Sequence, residues 1–273
     1  MAANKRKPGH ETIRVVPLHQ PKVEVGLQNL GKATGDSELF TGKPRKLATP
    51  AKLVYNGGPL IANTNVYTIF WGNDWISNPS FVTLASQLNA FFMAILVSPL
   101  MDQLIEYNKP GKKIGHGSLL GTKIITAGAP VSVIHDSEIQ TALKKWITAG
   151  TVPAWNPDIL YFIYMENGVK VIMGGGSSCS SFCGYHDCVQ GKKYYAVMPF
   201  PSCAGCLGGA SAFDALTGTS SHELCEAITD PVPGQGWYDN NNGEIGDICA
   251  WKFKTVAGYR VQLEWSNNAN ACV

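Results

Sequence analysis

The chain has 273 residues, 45% of them apolar and only 15% charged, with 29 Gly and 16 Pro, which excludes a disordered or coiled-coil protein and describes a loop-rich globular one. Its longest unbroken apolar run, Ala90 to Val97, is too short to span a bilayer. The net charge is +2, unevenly placed, and nucleic acid is not expected as a partner.

Residues 1–52 hold ten Lys/Arg against four Asp/Glu, and the remainder holds twelve against sixteen. The basic segment lacks hydrophobic periodicity and reads as a flexible extension: a solvated tail, a contact for an acidic polymer, or a pro-segment masking a site. It opens with Met-Ala-Ala-Asn-Lys-Arg-Lys and no apolar stretch follows, so no signal peptide is expected. Residues 53–273 read as one globular domain.

Tyr55-Asn56-Gly57-Gly58-Pro59 predicts a turn and Val66 to Trp71 a strand ending at Gly72. From Pro79 to Asn108 the spacing of Phe81, Leu84, Leu88, Phe91 or Phe92, Ile95 and Leu104 predicts a helix, kinked or split at Pro99. Lys113 to Thr126 reads as one or two strands. A helix capped by Asp136 or Ser137 should follow and close at Gly150. Asp158 to Met165 is a near-continuous apolar run suited to the middle of a sheet, with further strands at Val169 to Met173, Tyr194 to Phe200 and Tyr259 to Trp265. Gly174 to Lys193 reads as a cysteine-rich loop. The Gly174-Gly175-Gly176-Ser177-Ser178 run within it lacks the helix and the Lys-Ser/Thr of a phosphate cradle. This order predicts an α+β fold, a mixed β-sheet with packed helices.

All eight cysteines lie between Cys179 and Cys272. Their even number and density predict a disulfide-rich C-terminal third in an oxidising compartment, with up to four bridges and 105 possible pairings. Cys203-Ala204-Gly205-Cys206 has the spacing of a redox or zinc pair, but without a matching second pair it reads as part of that framework. The absent signal peptide then implies a mature form or an unconventional export route.

The most informative stretch is Ser221-His222-Glu223-Leu224-Cys225-Glu226, read as a short helix capped by Ser220 or Ser221 and closed before Pro231. His222 and Glu226 are four apart and share a face, with Asp230 one turn further if the helix reaches it. A His and a carboxylate at that spacing with an adjacent Glu is the geometry of H-E-x-x-H zinc proteases, with Glu226 in the second ligand position. Three protein ligands and a water make a catalytic zinc site, so a third ligand must come from downstream. Asp247, in a Gly-flanked turn, is preferred; Asp230, Asp239 and Glu244 are alternatives. Glu223 would be the general base. One His with two carboxylates is a hard ligand set, so calcium or manganese are alternatives to zinc. The simpler reading is a helix-surface His222/Glu226 pair, with Glu223 near the helix N-terminus. His186, between Cys183 and Cys188, is a substrate contact, a fourth ligand, or a hydrogen-bonded His pinned by disulfides. Trp237, Tyr238 and Trp251 would stack on sugar or apolar groups of a substrate, or pack in the core. Ser220 or Ser221 as nucleophile would need a base across space, and capping explains them better.

Several of these segments together resemble the phosphate-induced, or exordium-like, family of plants and their bacterial and fungal relatives. The resemblance rests on Tyr55-Asn56-Gly57-Gly58-Pro59, Phe70-Trp71-Gly72, Ser181-Phe182-Cys183-Gly184-Tyr185-His186 and Ser221-His222-Glu223-Leu224, and runs from Tyr55 to the C-terminus. It implies secretion and a cell-wall setting, and a wall-binding role without catalysis. The chain departs from the plant pattern after Leu224, where Cys225, Glu226 and Asp230 follow. The order of elements before His222 is similar to the N-terminal half of zincin proteases. Two expectations result: a secreted zincin-type metallopeptidase cutting an extracellular polypeptide, or a non-catalytic, disulfide-stabilised protein binding a cell-wall polymer or surface. A purely structural metal is a third.

Overall fold

A computed structural model describes residues 15–18 and 50–273. The mixed sheet has six strands: β1 (Val15–Pro17), β2 (Asn65–Trp71), β3 (Ser118–Ile125), β4 (Ile159–Met165), β5 (Phe182–Val189) and β6 (Lys193–Met198). Their spatial order is β1-β5-β6-β4-β2-β3. The β3, β2, β4 and β6 strands run parallel, and β5 is antiparallel to both β6 and β1. The principal helices are α1 (Pro79–Ile95), α2 (Asp136–Thr148) and α3 (Ala212–Thr229). The α+β architecture stands as the sequence reading has it.

Alternation along the strands divides the core into two layers. Phe70, Leu160, Phe162, Tyr164 and Ala196 face α1 and α3, while Ile69, Tyr161, Ile163 and Val197 face Ile139, Leu143 and Trp146 of α2. With helices over both faces, every residue of β4 is buried, which is why its sequence is apolar without alternation. The α1 stripe of Phe81, Leu84, Leu88, Phe91, Phe92 and Ile95 closes one side. Each such side chain contributes about 1.5–3 kcal/mol by leaving water.

The structure adjusts several boundaries. Pro99 splits the long helix: α1 ends at Ile95, and a new turn, Pro99–Asp102, starts behind the Ser98 cap at a bend of 51°. Lys113 to Thr126 yields the single strand β3. Asp136 begins α2 and His135 is its cap; the His135 N–H is held by Glu138 Oε2 at 2.9 Å. Asp136 instead accepts the hydroxyls of Tyr185 and Tyr195, each at 2.7 Å. The expected cysteine-rich loop contains β5, a full strand of the sheet. Residues 15–17 of the basic extension form β1, and the rest of that extension lies outside the described residues.

Three disulfides join Cys179 to Cys203, Cys183 to Cys206 and Cys249 to Cys272. Cys203 and Cys206 thus each reach back to the β5 region and do not pair with one another. Cys188 and Cys225 stand outside any disulfide. Three bridges in one chain indicate a non-cytoplasmic, oxidising setting. Among the described residues, no single helix is long and apolar enough to cross a membrane.

Candidate metal centre

The cap of helix α3 lies nine residues earlier than the Ser220 cap the sequence suggests. Ser211 caps it by accepting the Asp214 N–H, so Ser220 and Ser221 lie mid-helix. Ser220 Oγ shares a hydrogen bond with Tyr164, and Ser221 Oγ accepts the Gln262 N–H at 2.9 Å. Neither is a cap, and both hydroxyls are engaged in packing the helix into the protein. From Ala215 to Thr229 the helix is buried on all sides, against β5, β6 and the strand Tyr259–Gln262. A helix surrounded in this way should be apolar all round. This one carries His222, Glu223 and Glu226, each fully buried. The helix-surface reading of the His222/Glu226 pair is therefore excluded.

His222 Nε2 lies 2.8 Å from Glu226 Oε1 and 3.9 Å from Asp247 Oδ1. These three residues can offer ligand atoms all within 4.8 Å of one another. The 2.8 Å contact is not aligned as a hydrogen bond, and both ring nitrogens of His222 lack a hydrogen-bond partner. Asp247 Oδ1 is likewise unpartnered. Asp247 reaches the helix because its own N–H donates to Glu226 Oε1 at 3.1 Å and because Gly246 lies flat against the His222 ring. A Cβ at Gly246 would meet ring atoms at 2.8 Å, so only glycine fits there.

A second imidazole enters from β5. Its close approach to α3 depends on Gly184, where a Cβ would meet Thr219 Cγ2 at 2.6 Å. His186 Nδ1 lies 3.0 Å from Glu223 Oε2 and 3.5 Å from Glu226 Oε2. Its Nε2 is 3.2 Å from the Asp230 carbonyl oxygen, which can only accept, so the Nε2 hydrogen is fixed there. His186, Glu223 and Glu226 form a further group able to hold a metal. His186 is fully buried and hydrogen-bonded, and the Cys183–Cys206 bridge ties down its strand three residues away.

The other acidic candidates fall into two groups. Glu244 is fully buried with both carboxylate oxygens unpartnered, Oε1 lying 3.7 Å from His186 Nε2. Asp230 is the C-cap of α3, and its carboxylate accepts the N–H groups of Gly234, Gln235 and Gly236. Asp239 accepts N–H groups from Lys52, Asn241 and Asn242. Asp230 and Asp239 hold turns, and among the described residues neither belongs to a group with metal-ligand proximity. Trp237 packs on Tyr55 and Tyr107 with Lys109 over its ring, and Tyr238 pairs with Val54. Trp251 donates to the Pro17 carbonyl at 2.9 Å. All three aromatics make packing contacts.

The electrostatics follow from burial. Burial pushes the carboxyls of Glu223, Glu244 and Asp247 up, and the charge of Glu226 adds to it. Burial would also raise Glu226, but His222 and His186 hold it down at about 2. Burial opposes charge on the histidines, yet Glu223 and Glu226 hold His186 up at about 10, and Glu226 holds His222 well above its ordinary value. Without a cation, protons must neutralise this cluster. Glu264 was not anticipated: it is fully buried with both oxygens unpartnered, and burial raises its carboxyl. It follows Leu263 in an ordinary strand-end sequence, and no spacing signal marks it. The Cys179, Cys203 and Cys206 group also has metal-ligand proximity, but all three sulfurs are in disulfides.

No protein-family model matches the chain, and no curated protein is similar to it.

Proposed function

We propose that the protein is a secreted metal-dependent hydrolase of zincin type, most simply a peptidase acting on an extracellular polypeptide. The observation that carries the reading is the off-line 2.8 Å approach of His222 Nε2 to Glu226 Oε1 beside the unpartnered Asp247 Oδ1, inside a fully buried helix. Buried polar atoms without partners are rare in native proteins, and a cation satisfies these together. His222, Glu226 and Asp247 supply one imidazole and two carboxylates, a set that suits zinc and also manganese or calcium. A bound metal ion would make its water acidic enough to attack a carbonyl. Glu223 Oε1, unpartnered and next to this set, is the group to receive that water's proton. Burial raises the Glu223 carboxyl toward the range in which a base works near neutral pH. The mixed sheet leading into the site helix is in keeping with the zincin comparison, and the three disulfides with secretion.

One observation favours a second reading. The Asp247 side chain is 4% exposed and its partners are fully buried, whereas a catalytic metal keeps an open position. A closed centre suits a structural metal in a non-catalytic, cell-wall-binding protein of exordium-like type. The variant Glu223→Gln separates the two. The hydrolase reading expects about a hundredfold or greater loss of peptide cleavage with the cation at His222, Glu226 and Asp247 retained. Full cleavage activity in Glu223→Gln would sink that mechanism. Retention on wall polysaccharide that survives both chelator and Glu223→Gln would favour the binding protein.

A further inference from the structure

The two oxygens of Glu226 face two different histidines. Oε1 lies 2.8 Å from His222 Nε2, and Oε2 lies 3.5 Å from His186 Nδ1. A carboxylate presenting one oxygen to each of two ligand groups is the geometry of a bridge between two cations. We infer that the centre holds two divalent cations bridged by Glu226, the second bound by His186 Nδ1, Glu223 Oε2 and Glu226 Oε2. This rests on the reading of His222, Glu226 and Asp247 as the first cation's ligands.

Three further observations point to a ligand at the second position. First, the Nε2 hydrogen of His186 is committed to the Asp230 carbonyl at 3.2 Å. Metal-binding histidines are oriented in this way: one nitrogen donates to a fixed acceptor and the other turns its lone pair to the metal. Second, His186 Nδ1 and Glu223 Oε2 face each other at 3.0 Å, a gap bridged by a proton when no cation is bound and from which a cation takes both atoms as ligands. Third, Glu223 Oε1 and Glu226 Oε2 are unpartnered in residues with no exposed surface. Glu244 Oε1 lies 3.7 Å from His186 Nε2, on the other side of the ring.

Charge leads to the same number. Glu223, Glu226, Glu244 and Asp247 line the cluster and are closed off from water. With neutral imidazoles as ligands, one dication balances two of these carboxylates and leaves protons to neutralise the other two, whereas two dications balance all four. Uncompensated buried charge is among the costliest features a fold can carry. Imidazole with carboxylates suits zinc or manganese. Glu223 binds through Oε2 only, so its unpartnered Oε1 remains for the proton of a metal-activated water. Paired cations would also hold the attacking water and the carbonyl oxygen of a peptide hydrolysis.

The test is the metal content of the full chain by elemental analysis and native mass spectrometry after loading with zinc. About two zinc ions per chain are expected in the wild type and about one each in His186→Ala and His222→Ala, with circular dichroism confirming that each variant folds. A second measurement needs no variant: with two equivalents of manganese, the wild type should give the electron paramagnetic resonance signal of a spin-coupled pair. One ion in the wild type, lost in His222→Ala and kept in His186→Ala, overturns the second site and leaves the proposed function standing. Only isolated-ion manganese signals in the fully loaded wild type overturn it as well. No metal in a folded, zinc-treated wild type overturns both.

Discussion

The acidic residues at the end of α3 divide into two regions of opposite design. In the turns after the helix, Asp230 and Asp239 sit where backbone N–H groups converge, three of them on each carboxylate. In the centre around His222, one oxygen each of Glu223, Glu226 and Asp247 and both oxygens of Glu244 have no donor. Both regions are acidic, both lie near the same helix end, and either supplies ligands of the right type by composition. What separates them is satisfaction. A carboxylate whose oxygens are taken up by its own chain is a structural clamp, and one that is buried without donors needs something from outside the chain.

That contrast is broken most decisively by removing metal. If the centre is cation-filled, chelation should destabilise the whole domain, because binding at a thousandfold excess over the dissociation constant is worth about 4 kcal/mol. For a chain of this size that corresponds to a fall of roughly 10 °C in the unfolding midpoint. Thermal unfolding of the zinc-loaded protein with and without a strong chelator measures it. An unchanged midpoint would mean that protons alone neutralise the cluster, and the distinction between the two regions would lose its functional meaning.

A smaller effect tests the other side. Asp239→Ala removes the acceptor for three backbone N–H groups, at a cost of about 2 kcal/mol for hydrogen bonds to a charged group. Metal content should not change. Burial would raise the Asp239 carboxyl, but the hydrogen bonds from Lys52, Asn242 and Asn241 outweigh it and hold it below its ordinary 3.8. A depressed carboxyl stabilises the folded state above its unfolded value, and that contribution disappears as pH falls through the folded one. The gap between wild type and Asp239→Ala should therefore be full at neutral pH and shrink progressively as pH falls below about 3.8. Denaturant titrations at pH 7 and at steps below about pH 3.8 read it, and a gap that does not shrink on acidification would show that the charge is not what the turn uses.

The sequence made one region much more legible than the other. The His222/Glu226 interval is a helical repeat, visible without a structure, and the Gly-flanked turn at Asp247 signals a chain able to approach closely, as Gly246 does against the His222 ring. The partition of Asp230, Asp239 and Glu244 could not be read. It depends on where backbone N–H groups point after the chain has turned, and nothing local encodes that. The β5 strand was hidden because Cys, Gly and Ser dominate the segment, and strand propensity comes from β-branched and aromatic residues. Its strand character comes from partners on both edges, β6 and β1. His186 consequently looked like a loop residue braced by cysteines, when it stands on a central element facing α3. Ser211 was missed as a cap because Ala212 to Thr219 carries little apolar periodicity.

Glu264 provides the finest test, since it shares the burial of the centre and lies outside both candidate ligand groups. Burial raises its carboxyl well above the ordinary 4.5; the charge of Glu226 adds to this, and His222 and Lys254 offset part of it. A carboxyl raised in the folded state keeps a proton that the unfolded chain has released. Stability must therefore fall as pH rises from about 4.5 toward the folded value. Glutamine has nearly the same shape and no proton to lose, so Glu264→Gln removes that pH-dependent penalty. In chelated protein, the variant should be more stable than wild type by about 1–2 kcal/mol at neutral pH, with the difference shrinking toward pH 4.5. The measurement is thermal unfolding at both pH values. If the variant is instead less stable and binds less metal, Glu264 belongs to the cation centre, and the orphaned carboxylates form one larger site than the two ligand groups describe.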